Sequence, residues 1–399
     1  MTTPPRPPLW MSIATLICAI AIVGTNALLL SPLVQPVGAS LSASPTEVLW
    51  AASGYGLGVA AAALLIAPLG DRIGSGRLLR MALATLTIGF IASALAPSLW
   101  ALIGAQVLCG LAGGAALPSI YTMAAVIAPK GREARTVGAV LTGWTLSLVF
   151  GVSLAAWSAD LLGWRMIYGA LAAFCGLVWW LSGPLAQLDE PGETATSPLS
   201  ALRVPGMTRG ILASVGLMLS FYATYSYTGA HATVNLGLGT AQAGLLPLTY
   251  GLGFGSAVFL APFLDRIGLG RAASAIFVGL SVVYLSMGLT GDRYSVLLGL
   301  AVFWGVLQHL ALNILVARLT ALDPRQRGAI MGIYSTTTYL SVFAAPFVGG
   351  IGYQIFGFMG SVAISALLTG LAAVEALSLR RSPPRLSPTA GPDAPDAPA

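Results

Sequence analysis

The chain has 399 residues, of which 56% are hydrophobic and only 8% are charged, with a formal net charge of +6. Its mean hydropathy of +0.85 lies well above the balance of a soluble protein, which excludes a water-soluble helical core. It has two histidines, His231 and His309, and three cysteines that all fall in apolar runs, so we expect no enzyme activity, no metal site and no cofactor.

Charged residues stand in short clusters separated by long uncharged runs. Neither 81–129 nor 210–264 contains Asp, Glu, Lys or Arg. A membrane-crossing helix needs about 20 apolar residues, so each of these runs holds two helices joined by a turn. The fold class is therefore an all-α polytopic membrane protein with twelve transmembrane helices. We predict spans at 9–32, 48–69, 78–96, 100–122, 136–158, 166–183, 210–232, 244–264, 272–290, 295–317, 329–349 and 357–379.

The basic residues fix the orientation of these helices. With both termini inside, 17 of the 19 Lys and Arg residues fall in inner loops and tails, and only Arg165 and Arg293 fall outside. This is the positive-inside distribution of a protein in the cytoplasmic (inner) membrane. The net positive charge is therefore explained by topology, and we expect the lipid bilayer as a partner and no nucleic acid.

The sequence of the turn after predicted helix 2 occurs a second time later in the chain. The segments APLGDRIGSGR (67–77) and APFLDRIGLGR (261–271) agree at eight of eleven positions, 194 residues apart. Gly138 and Gly332 are also 194 residues apart, which indicates two equivalent six-helix bundles. We place the N-terminal bundle at 1–181, the C-terminal bundle at 210–380, a flexible cytoplasmic linker at 182–209 and a disordered cytoplasmic tail at 381–399.

Polar side chains inside several predicted spans are candidates for a ligand pathway. A polar group at mid-membrane is costly unless it lines water, a ligand or a partner helix. Asn26 in helix 1 suits cavity lining and interhelix hydrogen bonding equally, and Tyr227 in helix 7 suits an interfacial anchor. His309 suits either a ligand pathway or a hydrogen bond inside the bundle. The candidates are Asn26, Gln106, Tyr222, Tyr225, Trp304, Gln308, His309, Asn313, Tyr334 and Thr338.

The sequence resembles the major facilitator superfamily. It shares with that family two bundles of six helices, a central linker and an Asp-Arg-x-Gly turn after helix 2. The resemblance implies a transporter that works by alternating access, with the repeated turn as a cytoplasmic gate. It implies that Asp71 faces the start of helix 11 and that Asp265 faces the start of helix 5. The simpler alternative is that the turn only solvates a tight loop. The gate candidates are Asp71, Arg72, Gly74, Arg77, Asp265, Arg266, Gly268 and Arg271.

Helices 4 and 5 resemble the drug and sugar efflux branch of that superfamily, with departures. The branch carries Arg-x-x-x-Gly-x-x-x-Gly in helix 4, where this chain has Gln106, Gly110 and Gly114. In helix 5, Ser153 stands where that branch usually has Pro. No carboxylate occupies the middle of helices 1, 4, 7 or 10, so proton coupling would use His309, Asp71 or Asp160. A histidine with a pKa near ~6.5 suits such an exchange.

The resemblance implies a secondary active transporter of small organic molecules, most simply a proton-coupled exporter of drug-like or sugar-like compounds. The alternative is an importer or uniporter of a neutral or weakly charged metabolite, since no intramembrane Lys or Arg is present to bind an anion. A non-transporting sensor would need a large folded soluble domain, which the linker and tail do not provide. We expect a small-molecule substrate, protons as the coupling ion, and a monomer.

Overall fold

The computed structural model describes residues 8–66, 69–188, 198–260, 269–323 and 326–379. The side chains of Asp71, Arg271 and Arg327, like residues 261–268 of the second turn, lie outside the described part. We call the end of the bundle at which the first helix begins and the last one ends the inner end, and the opposite end the outer end.

Twelve helices cross the molecule, as the uncharged runs predict. Within the described ranges, nine stretches are long and apolar enough to cross a membrane by length and composition. One of them, Ala329–Leu377, holds two helices, because Phe356 and Gly357 break the helical backbone. The seventh and eighth helices do not meet this criterion over their described residues, and they bring the number of helices in the two bundles to twelve. The helices are α1 Leu9–Leu41, α2 Pro45–Leu65, α3 Ser75–Ala94, α4 Leu99–Val126, α5 Glu133–Leu162, α6 Trp164–Leu181, α7 Met207–Ala230, α8 Leu245–Ser256, α9 Leu269–Leu289, α10 Tyr294–Thr320, and α11 and α12 on either side of the break in Arg327–Leu379.

Helix α1 continues nine residues beyond its predicted end, through Pro32 and Pro36 to Leu41. Proline lacks the N–H that a helix interior needs and usually breaks it. Here the outer turns are held by packing, because Leu33, Val34 and Val37 are fully buried against neighbouring helices. Tertiary burial thus overrides the local signal that set the predicted end at residue 32.

Helix α5 contains a π-helical turn, Ser147–Val152, between two α-helical parts. Ser153, where the resembling efflux branch has Pro, donates its hydroxyl to the Leu148 carbonyl at 2.9 Å. This side chain therefore helps to satisfy a carbonyl that the widened turn leaves without its usual i→i+4 partner.

In each bundle, two helices cross closely at a pair of glycines, and this contact occurs at equivalent positions in both bundles. In the N-terminal bundle, Gly58 of α2 lies against Gly110 of α4, and a Cβ on either would overlap backbone atoms of the other helix. In the C-terminal bundle, Gly253 of α8 and Gly305 of α10 meet in the same way. Gly58 and Gly253 are 195 residues apart, and so are Gly110 and Gly305. The internal repeat therefore gives both bundles the same close helix crossing.

Part of the predicted flexible linker is folded onto the N-terminal bundle. Residues Gly183–Gln187 form a 3-10 turn, and Leu185 in it is only 1% exposed. A Cβ on Gly76 would overlap the Leu185 carbonyl oxygen, so this turn packs directly on the first turn of α3. The prediction of flexibility over all of 182–209 was therefore too broad, because apolar Leu185 has a place to pack. The proposed boundaries of the bundles stay predictions.

We predict that Gly76→Ala lowers the melting temperature of the detergent-solubilised protein. The added methyl must displace the Leu185 carbonyl from α3, and overpacking of this kind costs about 1–3 kcal/mol. Gly169→Ala in α6 is the matched control, since a Cβ there meets nothing within 4 Å and alanine favours a helix. Equal melting temperatures for both variants would show that the linker does not pack on α3.

Candidate functional site

An aromatic cluster lies in the C-terminal bundle where α7, α8 and α10 converge. The ring centre of Phe221 is 5.5 Å from Tyr225, 5.2 Å from Tyr250 and 5.3 Å from Trp304. Trp304 is only 2% exposed, and its indole Nε1 donates to the Tyr284 hydroxyl at 2.9 Å. Edge and tilted ring contacts of this kind make a stiff wall with hydroxyls at its rim.

The helical spacing of α10 decides which side chains join this wall. Trp304 and Gln308, one turn apart, are both buried, whereas Phe303 is 63% exposed on the outer surface of the bundle. The next stripe holds Gly305, which meets α8, and His309, whose ring centre is 4.6 Å from that of Phe254. Helix α10 therefore turns its polar stripe towards α7 and α8.

Four candidate side chains each have a buried polar atom with no hydrogen-bond partner among the described residues. They are Asn26 Oδ1 of α1 and, at the cluster, the Tyr225 hydroxyl, Gln308 Oε1 and His309 Nδ1. An unpaired buried polar group costs about 1–3 kcal/mol, so such groups usually mark a place where water or a ligand binds. All four belong to the residues that the sequence selects as pathway candidates.

The N-terminal bundle contributes a polar chain that is already paired. Asn26 donates through Nδ2 to Gln106 Oε1 at 3.1 Å, and Gln106 donates through Nε2 to the Ser93 hydroxyl at 3.1 Å. Gln106 is fully buried. These contacts favour interhelix bonding for Gln106, whereas Asn26 bonds across helices and still has a free acceptor.

Three further candidates lie on the inner part of the same space. Asn313, one turn from His309, is exposed, and Tyr334 and Thr338 of α11 are partly buried one turn apart. Asn313 is therefore accessible near the inner end of α10, whereas the Thr338 hydroxyl is buried.

The two bundles contact each other at the outer end of the molecule. The Ser31 hydroxyl of α1 donates to the Tyr225 carbonyl at 2.6 Å, and the Gly229 backbone N–H donates to Ser31 at 3.3 Å. The cavity beside Ser31 and Tyr225 has a volume of only about 10 Å³, about enough for one water. Sequence reasoning missed Ser31, and the only signal was the pair of small residues, Ser31 and Gly229, on facing helices.

Asp160, a proton-coupling candidate, makes a second contact at the outer end. Its carboxylate oxygen Oδ2 accepts the Ala241 backbone N–H of the other bundle at 2.9 Å. Nearby, a Cβ on Gly244 would lie 2.6 Å from the Ala156 Cβ. Asp160 thus joins the N-terminal bundle to the short helix Thr240–Ala243 of the C-terminal bundle at the outer end.

Tyr227 is not an interfacial anchor, as its position near a helix end suggested. It is fully buried, stacks on Tyr353 with ring centres 4.7 Å apart, and donates to the Pro346 carbonyl at 2.7 Å. Its packing partners come from distant helices, which a local pattern cannot reveal.

The first repeated turn is described in part. Gly74 has φ +92°, a backbone conformation that residues with a Cβ rarely adopt, which explains this glycine in the motif. Arg72 and Arg77 are exposed. The predicted contacts of Asp71 and Asp265, and the residues Arg266 and Gly268, lie outside the described part, as does the side chain of Arg271. Among the described residues, the only salt bridge joins Arg318 of α10 to Glu375 of α12 at 2.6 Å.

With this geometry in view, comparison with known proteins identifies the family. The sequence matches the Major Facilitator Superfamily over residues 16–321 and 256–398. The chain belongs to the Major Facilitator Superfamily. It is 27% identical over 363 residues to the "Uncharacterized MFS-type transporter YwfA" of Bacillus subtilis (strain 168), covering 88% of this chain and 87% of that protein.

The fold is shared with a solved member of the superfamily. The structure superposes on the crystal structure of a D-xylose-proton symporter with a TM-score of 0.74, covering 92% of this chain and 97% of that one. The two sequences are only 15% identical, so this likeness concerns the fold. The protein is thus a multi-pass membrane transporter of the secondary type and not an enzyme.

We predict that replacing two tyrosines of α7 by phenylalanine has different effects on stability. Tyr225→Phe removes a buried hydroxyl that has no partner, so the melting temperature should stay the same or rise. Tyr227→Phe removes the bond to the Pro346 carbonyl and should cost about 0.5–1.5 kcal/mol. Thermal unfolding in detergent measures both. A loss of stability in Tyr225→Phe as large as that in Tyr227→Phe would mean that the Tyr225 hydroxyl is paired within the protein.

Proposed function

We propose that this protein exports small organic molecules across the cytoplasmic membrane in exchange for protons. The observation that carries the proposal is the aromatic wall of Phe221, Tyr225, Tyr250 and Trp304 with unpaired polar atoms beside it. A site of this kind suits a ligand that is part apolar and part hydrogen-bonding. Drug-like and sugar-like compounds both have this character.

The charge of the site supports a neutral or weakly charged substrate. The middle parts of α7, α10 and α11 carry no Asp, Glu, Lys or Arg in the sequence. An ionised ligand buried there would lack a counter-charge, which is strongly unfavourable in a membrane interior. Binding would therefore rest on ring contacts and on hydrogen bonds to Tyr225, Gln308 and His309.

Import of a neutral metabolite is the second candidate. It is supported by the fold that this chain shares with a D-xylose-proton symporter. The direction of transport depends on how substrate and proton binding are ordered, and the same wall of aromatic rings can serve either direction. For export and for import alike, the positive-inside pattern supports an orientation with both termini in the cytoplasm. We also propose that the protein is a monomer.

The cytoplasmic gate remains part of this proposal. The repeated Asp-Arg-x-Gly turns would hold the inner ends of the bundles together when the outer end opens, so that they bias a two-state equilibrium. Asp71 and Asp265 are the proposed clasp residues. Ser31 and Asp160 close the opposite end in this structure.

We expect a substrate to raise the melting temperature of the detergent-solubilised protein. The test panel contains sugars, amino acids, organic acids, aromatic drugs and lipophilic cations. A ligand present at about 100 times its Kd stabilises the folded state by about 2.7 kcal/mol. A response to aromatic drugs that is lost in Gln308→Leu supports export of drug-like compounds, whereas a response to lipophilic cations would contradict a neutral or weakly charged substrate. A response confined to one sugar or organic acid supports the metabolite carrier instead.

We predict that His309→Gln abolishes the response of transport to an imposed pH gradient. The panel ligand with the largest effect is followed in proteoliposomes, because glutamine keeps a hydrogen-bonding group at this position but cannot carry a proton at neutral pH. His231→Gln is the matched control, because His231 stacks on Phe358 and contacts the Gly291 carbonyl at 2.8 Å, away from the pathway. Full coupling in both His309→Gln and Asp71→Asn would exclude these two residues as proton carriers.

A further inference from the structure

A second cavity lies at the inner end of the N-terminal bundle, outside the transport pathway. It has a volume of about 440 Å³ and is lined by Arg77, Arg80 and Met81 of α3, Trp179 of α6 and Gln187 of the folded linker turn. One water occupies about 30 Å³ of liquid, so the space can hold a phosphodiester together with hydrating water. Arg77 belongs to the proposed gate turn, whereas the transport proposal gives Arg80, Trp179 and Gln187 no role.

The two arginines in the cavity, Arg77 and Arg80, have no carboxylate partner within the part of the chain that the structure describes. The Arg80 guanidinium lies 5.2 Å from the ring centre of Trp179, which orients its donors, and Gly183 of the linker turn lies beside it. A guanidinium held on an aromatic face keeps donors free for a phosphate group.

The position of the cavity selects a ligand with an apolar part. Met81 lines the cavity and is 60% exposed, and it begins an apolar stripe on α3 that continues through Ile88 at 59%. Leu95, the residue that follows α3, is 73% exposed. Such a stripe faces lipid when the helix spans a membrane. Arg77 and Arg80 stand in the first turns of that helix, at the level of lipid headgroups.

The internal repeat shows that the cavity is not a by-product of the gate turn. Arg77 has its counterpart Arg271 in the second turn, 194 residues later, but the same displacement takes Arg80 to Ser274 and Trp179 to Ala373. Ser274 and Ala373 are both buried. The turn is thus repeated, whereas the arginine and tryptophan that build the cavity occur in one bundle alone.

We propose that this cavity binds the headgroup of an anionic phospholipid, with the phosphate between Arg77 and Arg80 and the acyl chains along the stripe from Met81. Basic cavities between membrane helices at the cytoplasmic surface have the chemistry for such headgroups. The linker turn Gly183–Gln187 forms one wall, so bound lipid holds the start of the linker against α3.

The test uses the full-length protein in neutral detergent, titrated with dioctanoyl phosphatidylglycerol while thermal unfolding is followed. We expect a saturable rise in melting temperature whose half-saturating lipid concentration increases about tenfold in Arg80→Gln and in Arg77→Gln. Arg80→Lys keeps the positive charge but loses the planar, two-pronged donor group of arginine. Its half-saturating lipid concentration should lie between those of the unaltered protein and Arg80→Gln. Arg77→Gln guards against a folding defect, since Arg77 is exposed and makes no ring contact.

Arg209→Gln is the matched control, because Arg209 is an exposed arginine in the first turn of α7 and lies outside the cavity. It should respond to lipid as the unaltered protein does. Dioctanoyl phosphatidylcholine should give no saturable rise at the same concentrations. An equal response to inorganic phosphate would identify a free-anion site instead. Equal half-saturation in the unaltered protein and the Arg77→Gln/Arg80→Gln double variant would overturn the proposal outright.

Discussion

The close approach of helix backbones at glycine pairs is the constraint on which the rest of this structure depends. Apolar side chains gain little from leaving lipid for one another, so membrane helices associate through packing and interhelix hydrogen bonds. Gly58 meets Gly110 in one bundle, and Gly253 meets Gly305 in the other. The second crossing brings Tyr250 and Phe254 of α8 against Trp304 and His309 of α10. The ring contacts between α8 and α10 therefore depend on the absence of a side chain at Gly253 and Gly305.

The same principle, applied between the bundles, produces the closed outer end. Gly229 admits the Ser31 backbone, and a Cβ there would overlap the Ser31 carbonyl. Unlike the crossings within each bundle, this contact must form and break if the two bundles alternate. It uses a hydroxyl and backbone groups, which can be rehydrated at modest cost when the bundles separate.

The amino-acid sequence predicts the twelve helices because charge and length are nearly sufficient to define a membrane crossing. It also selects Tyr225, Gln308 and His309, since polar residues in an apolar span stand out. It fails where distant packing decides. Helix α1 continues through Pro32 and Pro36, Tyr227 is buried against Tyr353, and Leu185 fixes part of the predicted linker. Gln106 looks like a pathway residue from its polarity alone, but its two hydrogen bonds to Asn26 and Ser93 depend on three helices meeting.

The uncharged middle of the molecule has a consequence for its response to the membrane potential. One elementary charge moved across the membrane is worth about 2.3 kcal/mol per 100 mV. The central parts of α1, α4, α7 and α10 contain no Asp, Glu, Lys or Arg, so a rocking motion of the bundles displaces no fixed charge there. The protein scaffold then performs almost no electrical work, and voltage acts on what the pathway carries. Any electrogenic behaviour would report the charge of the cargo and of its accompanying ion.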